Sequence, residues 1–170
     1  IYEQPDALGN TINGRLGEHD VLDNIFGLGS SDAFKNVKRI QFVACGTSLH
    51  AAKTARKWFE DICEIPCYID FASEYRYRNP IVEDHTLFVT ISQSGETADT
   101  LAALEYARAE KYVGIVTICN VPTSTMARNA DWKIFTNAGP EIGVASTKAF
   151  TTQLAAVSYT HLTLPTNGCV

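Results

Sequence analysis

The chain has 170 residues, 45% of them hydrophobic, and carries a formal net charge of −5. That length suffices for one domain with a buried core, and an acidic chain without a basic run excludes nucleic acid and anionic membrane surfaces as expected partners. No apolar stretch is long enough to span a membrane, and neither a signal peptide nor an initiator Met begins the sequence, so we expect a segment of a longer protein.

The first predicted element is an entry helix. Pro5 is tolerated in a first helical turn, and Leu8, Ile12 and Leu16 recur every four residues. The residues that follow, up to position 38, are less periodic and predict loop and a short helix. We assign residues 1–35 to an entry helix and linker that pack on the main domain.

The first strand is predicted at residues 39–44, where a short apolar run ends abruptly in small residues. These small residues are Cys45, Gly46, Thr47 and Ser48. A helix over 48–62 follows, and a short second strand over 67–70 comes after it. The helix residues predicted to share the inward face are Leu49, Ala52, Ala55, Trp58, Phe59 and Ile62.

The third strand, residues 86–91, ends in the same way as the first. The residues after it are Ser92, Gln93, Ser94, Gly95, Glu96 and Thr97. A helix over 97–111, an almost wholly apolar strand over 112–119, a short strand over 132–135 and a last helix from Thr147 complete the pattern.

This alternation of strands and helices predicts an α/β fold. Near-continuous apolar strands are typical of a parallel sheet that is covered on both faces. We therefore expect a doubly wound, flavodoxin-like, five-stranded parallel sheet with helices on both faces and the strand order 2-1-3-4-5. In that order the first and third strands are neighbours, so the two polar turns lie at one edge.

The two polar turns predict a site for an anion. Free backbone N–H groups at a helix start, with serine and threonine hydroxyls beside them, suit a phosphate group. Two such turns on neighbouring parallel strands would converge on one ligand, which indicates a phosphorylated small molecule.

Each of these features also has a purely structural interpretation. Serine and threonine at such turns are often helix caps, and Thr97 followed by Thr100 fits that interpretation. Glu96 is either a catalytic carboxylate or a charge placed to suit a helix dipole. Lys148 either assists the anion site or is solvated. The glycine-rich residues 27–30 follow no strand and are predicted to be loop rather than a dinucleotide site.

The five cysteines show no spacing typical of a metal site or a disulfide framework. Their odd number fits a reducing compartment, so we expect a cytoplasmic protein with no metal and no cofactor, in which most thiols are small buried groups. Cys45 could instead be a nucleophile, because it ends a strand beside the candidate anion site, although no histidine pattern accompanies it.

Several motifs in series resemble the first sugar isomerase (SIS) domain of the glutamine–fructose-6-phosphate aminotransferase family. They are residues 44–48 (ACGTS), 72–78 (ASEYRYR), 92–100 (SQSGETADT), 118–122 (ICNVP), 137–139 (NAG) and 141–154. The resemblance runs from about residue 1 to 156, which places the SIS domain at residues 36–157. Pro140 departs from the small polar residue usual in the family, and residues 158–170 are expected to be a non-native or disordered tail.

The resemblance implies roles for individual residues. Those expected to hold the phosphate of fructose 6-phosphate are Ser48, Ser92, Gln93, Ser94 and Thr97. Those expected to line the sugar pocket are Cys45, Gly46, Thr47, Val144 and Ser146. It further implies a homodimeric parent that makes glucosamine 6-phosphate from fructose 6-phosphate and glutamine.

The family's ammonia source, catalytic base and Schiff-base lysine have no counterpart in this chain, so we expect it to be inactive alone. Two other functions stay open. One is a sugar-phosphate sensor without catalysis, and the other is a free-standing aldose–ketose isomerase in which Glu74 or Glu141 serves as the acid or base.

Overall fold

The computed structural model describes residues 1–18, 21–22, 25–143 and 146–160. Within this part of the chain, five parallel strands form one sheet in the order β2-β1-β3-β4-β5. The strands are β1 (Arg39–Ala44), β2 (Cys67–Phe71), β3 (Thr86–Ile91), β4 (Ile115–Cys119) and β5 (Trp132–Phe135). The predicted fold and strand order are confirmed. In the β1–β3 pair, Ala44 lies opposite Ile91, so both strands end at the same level.

Helices cover both faces of the sheet. They are α1 (Gln4–Ile12), α2 (Ser30–Phe34), α3 (Gly46–Cys63), α4 (Ala72–Tyr75), α5 (Ala98–Arg108), α6 (Thr125–Asn129) and α7 (Lys148–Thr160). Buried side chains of α3 and α7 share one apolar cluster, and those of α4, α5 and α6 share another. The chain is therefore doubly wound, as the alternation predicted.

The strands supply side chains to both clusters in alternation. On β3, Leu87 and Val89 belong to the cluster under α3 and α7, whereas Phe88 belongs to the cluster under α4 and α5. All three are at most 2% exposed. Burying a side chain of this size contributes roughly 1.5–3 kcal/mol relative to leaving it exposed, so the central strands anchor the residues that follow them.

A helix, α1, lies where the entry helix was predicted. On α1 the buried residues are Ala7 and Thr11, whereas Leu8 and Ile12 are half-buried and Leu16 is exposed. The helix lies against α7, and the Thr11 hydroxyl donates to the carbonyls of Ala7 and of Thr136, the residue after β5.

On α3 the predicted inward position of Ile62 is wrong. Ile62 is 41% exposed, and Cys63 at 2% exposure takes the inward position in the last turn. Cys63 continues the face of Ala55 and Phe59 at four-residue intervals, whereas Ile62 lies about 100° away from Cys63 around the helix axis. The fourth strand is also shorter than predicted and begins at Ile115.

The last helix continues past the predicted domain boundary at residue 157. It includes Ser158, Tyr159 and Thr160, and Tyr159 is 4% exposed. Residues 161–170 lie outside the described residues, so the expectation of a non-native or disordered tail stays a prediction for them.

Candidate functional site

A cavity of about 470 Å³ opens at the carboxyl ends of β1 and β3. The residues that line it are Cys45, Gly46, Thr47, Ser48, Ile91, Ser92, Gln93, Ser94, Thr97 and Ser146. The structure thus brings together the site residues predicted from the sequence, apart from Val144, which lies outside the described residues. The two polar turns meet here because β1 and β3 are neighbours in the sheet.

The first wall of the cavity is the start of α3. Cys45 is extended, with φ of −126°, and Gly46 turns the chain with a positive φ of 56°. Thr47 is exposed and Ser48 is 7% exposed, both within the first helical turn. The N–H groups of a first turn have no partner within their helix, so this wall offers backbone donors as well as two hydroxyls.

The second wall is the turn after β3, which is braced by its own hydroxyls. Ser92 is 3% exposed, and its Oγ accepts the N–H of Gly95 at 3.1 Å. The same Oγ lies 3.1 Å from Oγ1 of Thr97, and Oγ of Ser94 accepts the N–H of Glu96 at 3.1 Å. The turn is therefore a fixed structure, with hydroxyl groups along the side that faces the cavity.

Gly95 is required in this turn for two reasons. Its φ is +66°, and a Cβ atom there would overlap the Ser124 side chain at the start of α6. The Ser124 Oγ in turn accepts the N–H of Ala127 at 3.3 Å and caps α6. The turn and α6 therefore pack backbone against side chain, with no room for a larger residue.

Glu96 serves a structural role in this arrangement. Its Oε1 accepts the backbone N–H of Thr125 at 2.6 Å, at the start of α6. That N–H holds the pKa of the Glu96 carboxyl below its ordinary value, because the bond favours the ionised form. The interpretation of Glu96 as a helix-end charge is the one that the geometry supports, with α6 rather than α5 as the helix.

Thr97 occupies the cap position of α5, but its hydroxyl does not act as the cap. Among the described residues, no N–H of α5 donates to the Thr97 side chain. The hydroxyl bonds instead to Ser92, inside the turn that lines the cavity. A purely capping role for this side chain is therefore wrong.

Cys45 and Lys148 have partners of their own. The Cys45 thiol is approached by the Thr100 hydroxyl at 4.0 Å. Lys148 is 9% exposed and forms an ion pair with Glu3, at the start of α1. Lys148 is therefore not solvated, and it is not among the described lining residues of the cavity. Its ion pair instead connects α7 to the entry segment.

The two carboxylates considered as an acid or base lie outside the cavity lining. Glu74 is exposed on the short helix α4. Glu141 accepts two backbone N–H groups, from Thr147 at 2.9 Å and from Ala149 at 2.8 Å. The geometry places Glu141 as a support for the chain around the start of α7.

Asn120 is a site-supporting residue to which we assigned no role from the sequence. Its Nδ2 donates to the carbonyl of Gly139 at 2.7 Å, and its Oδ1 accepts the N–H of Ala138 at 2.7 Å. It thereby holds the segment before Pro140, which borders a second cavity that shares Gln93 with the first. A single amide directly after the apolar strand β4 was the signal that could have found it.

The electrostatics of the cavity come from dipoles rather than from charged side chains. No Asp, Glu, Lys, Arg or His side chain is among the lining residues in the described part of the chain. The N-terminal ends of α3, with 18 residues, and α5, with 11 residues, both lie at this edge. Each contributes roughly half a positive charge at its first turn, which favours an anion there.

Among the described residues, no cluster of three or more His, Cys, Asp or Glu side chains is placed to hold a metal ion. No helix in this part of the chain has the length and apolar character needed to cross a bilayer.

Comparison with known proteins agrees with the fold and the motifs. The model of the SIS domain matches residues 33–162. Glutamine–fructose-6-phosphate aminotransferase (isomerizing) from Idiomarina loihiensis is 55% identical over 92% of this chain and 26% of its own length. The enzyme of the same name from Pseudomonas aeruginosa is 54% identical, with the same coverage. This chain thus spans about a quarter of the length of these relatives.

A solved structure leads to the same family. The C-terminal domain of glucosamine-fructose-6-phosphate aminotransferase from Francisella tularensis superposes with a TM-score of 0.91 at 49% identity, over 94% of this chain and 45% of that one. With the matching domain model and the sheet order, this likeness establishes that the chain belongs to the SIS domain family.

Proposed function

We propose that this chain binds the phosphate end of fructose 6-phosphate in the cavity between the two turns. It would do so as the sugar-phosphate-binding part of an enzyme that makes glucosamine 6-phosphate from fructose 6-phosphate and glutamine. The observation that carries this proposal is the convergence of two hydroxyl-rich turns, one after β1 and one after β3, on a single neutral cavity.

The donor set suits a phosphate dianion. The hydrogen-bond donors are the hydroxyls of Ser48, Ser94 and Thr97 and the first-turn N–H groups of α3. Hydroxyl and backbone N–H groups are compact, so several of them can surround the three phosphate oxygens. Hydrogen bonds to a charged group contribute roughly 1.5–3 kcal/mol each, so a few of them suffice for specific binding. An uncharged sugar would gain far less from the same donors and the two helix dipoles.

The relatives support the choice of sugar. Their name specifies fructose 6-phosphate and glutamine, and they are 54–55% identical to this chain over 92% of its length. Because the chain spans about a quarter of their length, we propose for it only the phosphate-holding role. We expect the longer protein to be a homodimer whose other parts supply ammonia and the acid–base groups.

We expect this chain alone to form no glucosamine 6-phosphate, even when ammonia is supplied. No Asp, Glu, His or Lys side chain is part of the described cavity lining, and the Glu141 carboxylate is already bonded to two N–H groups. Phosphate binding remote from the reacting carbons still contributes orientation to the complete enzyme. Product formation above background by a pure sample would contradict this and favour the free-standing isomerase, with Glu74 as the first residue to substitute.

Titration calorimetry with fructose 6-phosphate tests the binding proposal. Ser94→Ala should weaken the affinity by roughly ten- to a hundredfold, since it removes one hydrogen bond to a charged group. Unphosphorylated fructose should bind poorly to the parent chain and to the variant alike. Ser158→Ala is the matched control, because its hydroxyl bonds to the Ala155 carbonyl on α7, away from the cavity.

Two results would overturn the proposal. One is a parent chain that binds fructose as well as fructose 6-phosphate, which would show that the phosphate is not recognised. The other is an affinity that survives Ser94→Ala while the melting temperature falls, which would make the hydroxyl a structural group of the turn.

A further inference from the structure

Among the residues that the structure describes, Ser146 is the only lining residue of the cavity that belongs neither to the two turns nor to the strand end at Ile91. Its Oγ is buried and has no hydrogen-bond partner in that part of the chain. The side-chain hydroxyl therefore does not hold Ser146 in place. Another group must restrain the backbone at Ser146, which forms a third wall of the cavity.

The helix that follows does not explain the position of Ser146 by itself. Burial of α7 begins at Lys148 and Ala149, which are 9% and 1% exposed, whereas Ser146 and Thr147 precede the helix and are half-buried. A residue two positions before an anchored helix keeps free backbone dihedrals unless another contact restrains it.

Glu141 supplies that restraint. Its Oε1 accepts the N–H of Thr147 at 2.9 Å, and this N–H belongs to the peptide bond that joins Thr147 to Ser146. Its Oε2 accepts the N–H of Ala149 at 2.8 Å, inside the first turn of α7. One carboxylate therefore ties the peptide beside Ser146 to the anchored end of the helix.

We propose that Glu141 is a positioning residue for the sugar part of the ligand, because it holds Ser146 in the wall of the cavity. This inference rests on the proposed function, since it assigns Ser146 a contact with the same bound sugar phosphate. The turns after β1 and β3 hold the phosphate without help from Glu141. Loss of Glu141 should therefore change sugar recognition and spare phosphate recognition.

Glu141→Gln is the decisive variant. A glutamine has nearly the same size, but its side chain has one acceptor oxygen and an NH₂ group that only donates. One of the two N–H groups is then left without an acceptor. We expect the affinity for fructose 6-phosphate to fall about tenfold, and that for inorganic phosphate to change less than about twofold.

Asp131→Asn is the matched control. Its Oδ2 also accepts a backbone N–H, from Ile115 at 2.8 Å, at the opposite end of the sheet. This change of carboxylate to amide should lower the melting temperature and leave both affinities unaltered. A loss of stability alone therefore cannot imitate the expected result for Glu141→Gln, which is a change in the ratio of two affinities.

A double-substitution cycle tests whether Glu141 acts through Ser146. Ser146→Ala should reproduce the selective loss of fructose 6-phosphate binding, and adding Glu141→Gln to it should cause little further loss. Ser146→Ala is a small change at a site with no partner, so it keeps the inference testable even if Glu141→Gln does not fold. Unchanged fructose 6-phosphate affinity in Ser146→Ala would overturn the inference.

The failures of the two proposals are distinguishable. A parent chain that binds neither fructose 6-phosphate nor phosphate would overturn the proposed function, and the positioning role with it. If Ser94→Ala weakens binding but Glu141→Gln leaves the ratio of the two affinities unchanged, the positioning role alone is wrong.

Discussion

The hydroxyls of Ser92 and Thr97 lie 3.1 Å apart and bond to each other across the turn after β3. The Ser92 Oγ also accepts the N–H of Gly95. It can still bond to the Thr97 hydroxyl, either by accepting with its second lone pair or by donating its proton. This bond turns the Thr97 hydroxyl away from the N–H groups of α5 that a cap would satisfy. The two hydroxyls thus form a pair at the cavity wall.

Thr97→Val tests whether that pair serves a ligand. Valine keeps the shape of threonine and removes the hydroxyl, so we expect about tenfold weaker binding of fructose 6-phosphate. The lost bond to Ser92 should lower the free energy of unfolding by about 0.5–1.5 kcal/mol. Calorimetry and melting curves measure the two effects separately.

Thr97→Ser is the control for that substitution, because it keeps a hydroxyl at the same position. We expect it to retain most of the affinity. A Thr97→Val protein with reduced stability and normal affinity would show that the hydroxyl only braces the turn.

Gly95→Ala and Gly46→Ala separate backbone strain from crowding. Both glycines have a positive φ, but a Cβ at Gly46 would meet open space, whereas one at Gly95 would overlap Ser124. Gly46→Ala should cost about 1–2 kcal/mol of unfolding free energy from the left-handed backbone alone. Gly95→Ala should cost roughly 1–3 kcal/mol more from overpacking. Equal losses in urea unfolding would show that the turn and α6 can separate without cost.

The Glu96 contact with α6 predicts a pH dependence of stability. The pKa of Glu96 is lowered in the folded protein by the Thr125 N–H, so the stabilisation is complete at neutral pH. It should be lost as the pH falls below the ordinary glutamate pKa of about 4.3 and through the lower folded value. We expect Glu96→Gln to melt below the parent at pH 7 and to converge with it in acid.

Glu105→Gln is the comparison for this prediction, because Glu105 is exposed on α5. Its melting temperature should follow that of the parent at every pH. A constant difference between Glu96→Gln and the parent from pH 7 down to pH 3 would contradict a role for the ionised carboxylate.

The sheet and the meeting of the two turns could be predicted because they depend on local patterns. The apolar runs over β1 and β3 fix where each strand ends, and the parallel order fixes which ends are neighbours. The hydroxyls that follow then fall at one edge. For this part of the site, the positions of the hydroxyl residues in the sequence and the order of the strands in the sheet are enough to predict which residues meet.

The supports of the site could not be predicted in the same way. Glu141 and Asn120 act through backbone groups whose positions depend on how loops are folded, so the sequence could at most mark Asn120 as an amide after β4 and could not give its partners. The pair of Lys148 and Glu3 joins residues 145 positions apart. Burial of Thr11 could not be predicted for a related reason, because its hydroxyl bonds to the carbonyl of Thr136, which is 125 positions away.

The contact of α1 with α7 has a consequence for how the domain can be divided. The match to the SIS domain begins at residue 33, yet Lys148, Thr151 and Tyr159 of α7 bond to Glu3, Gln4 and Arg15. A polypeptide trimmed to the matched region would strip these partners from α7 and leave a lysine ammonium in a recess without its carboxylate. We therefore expect the unit that unfolds cooperatively to extend beyond the region that the domain model matches and to include the entry helix.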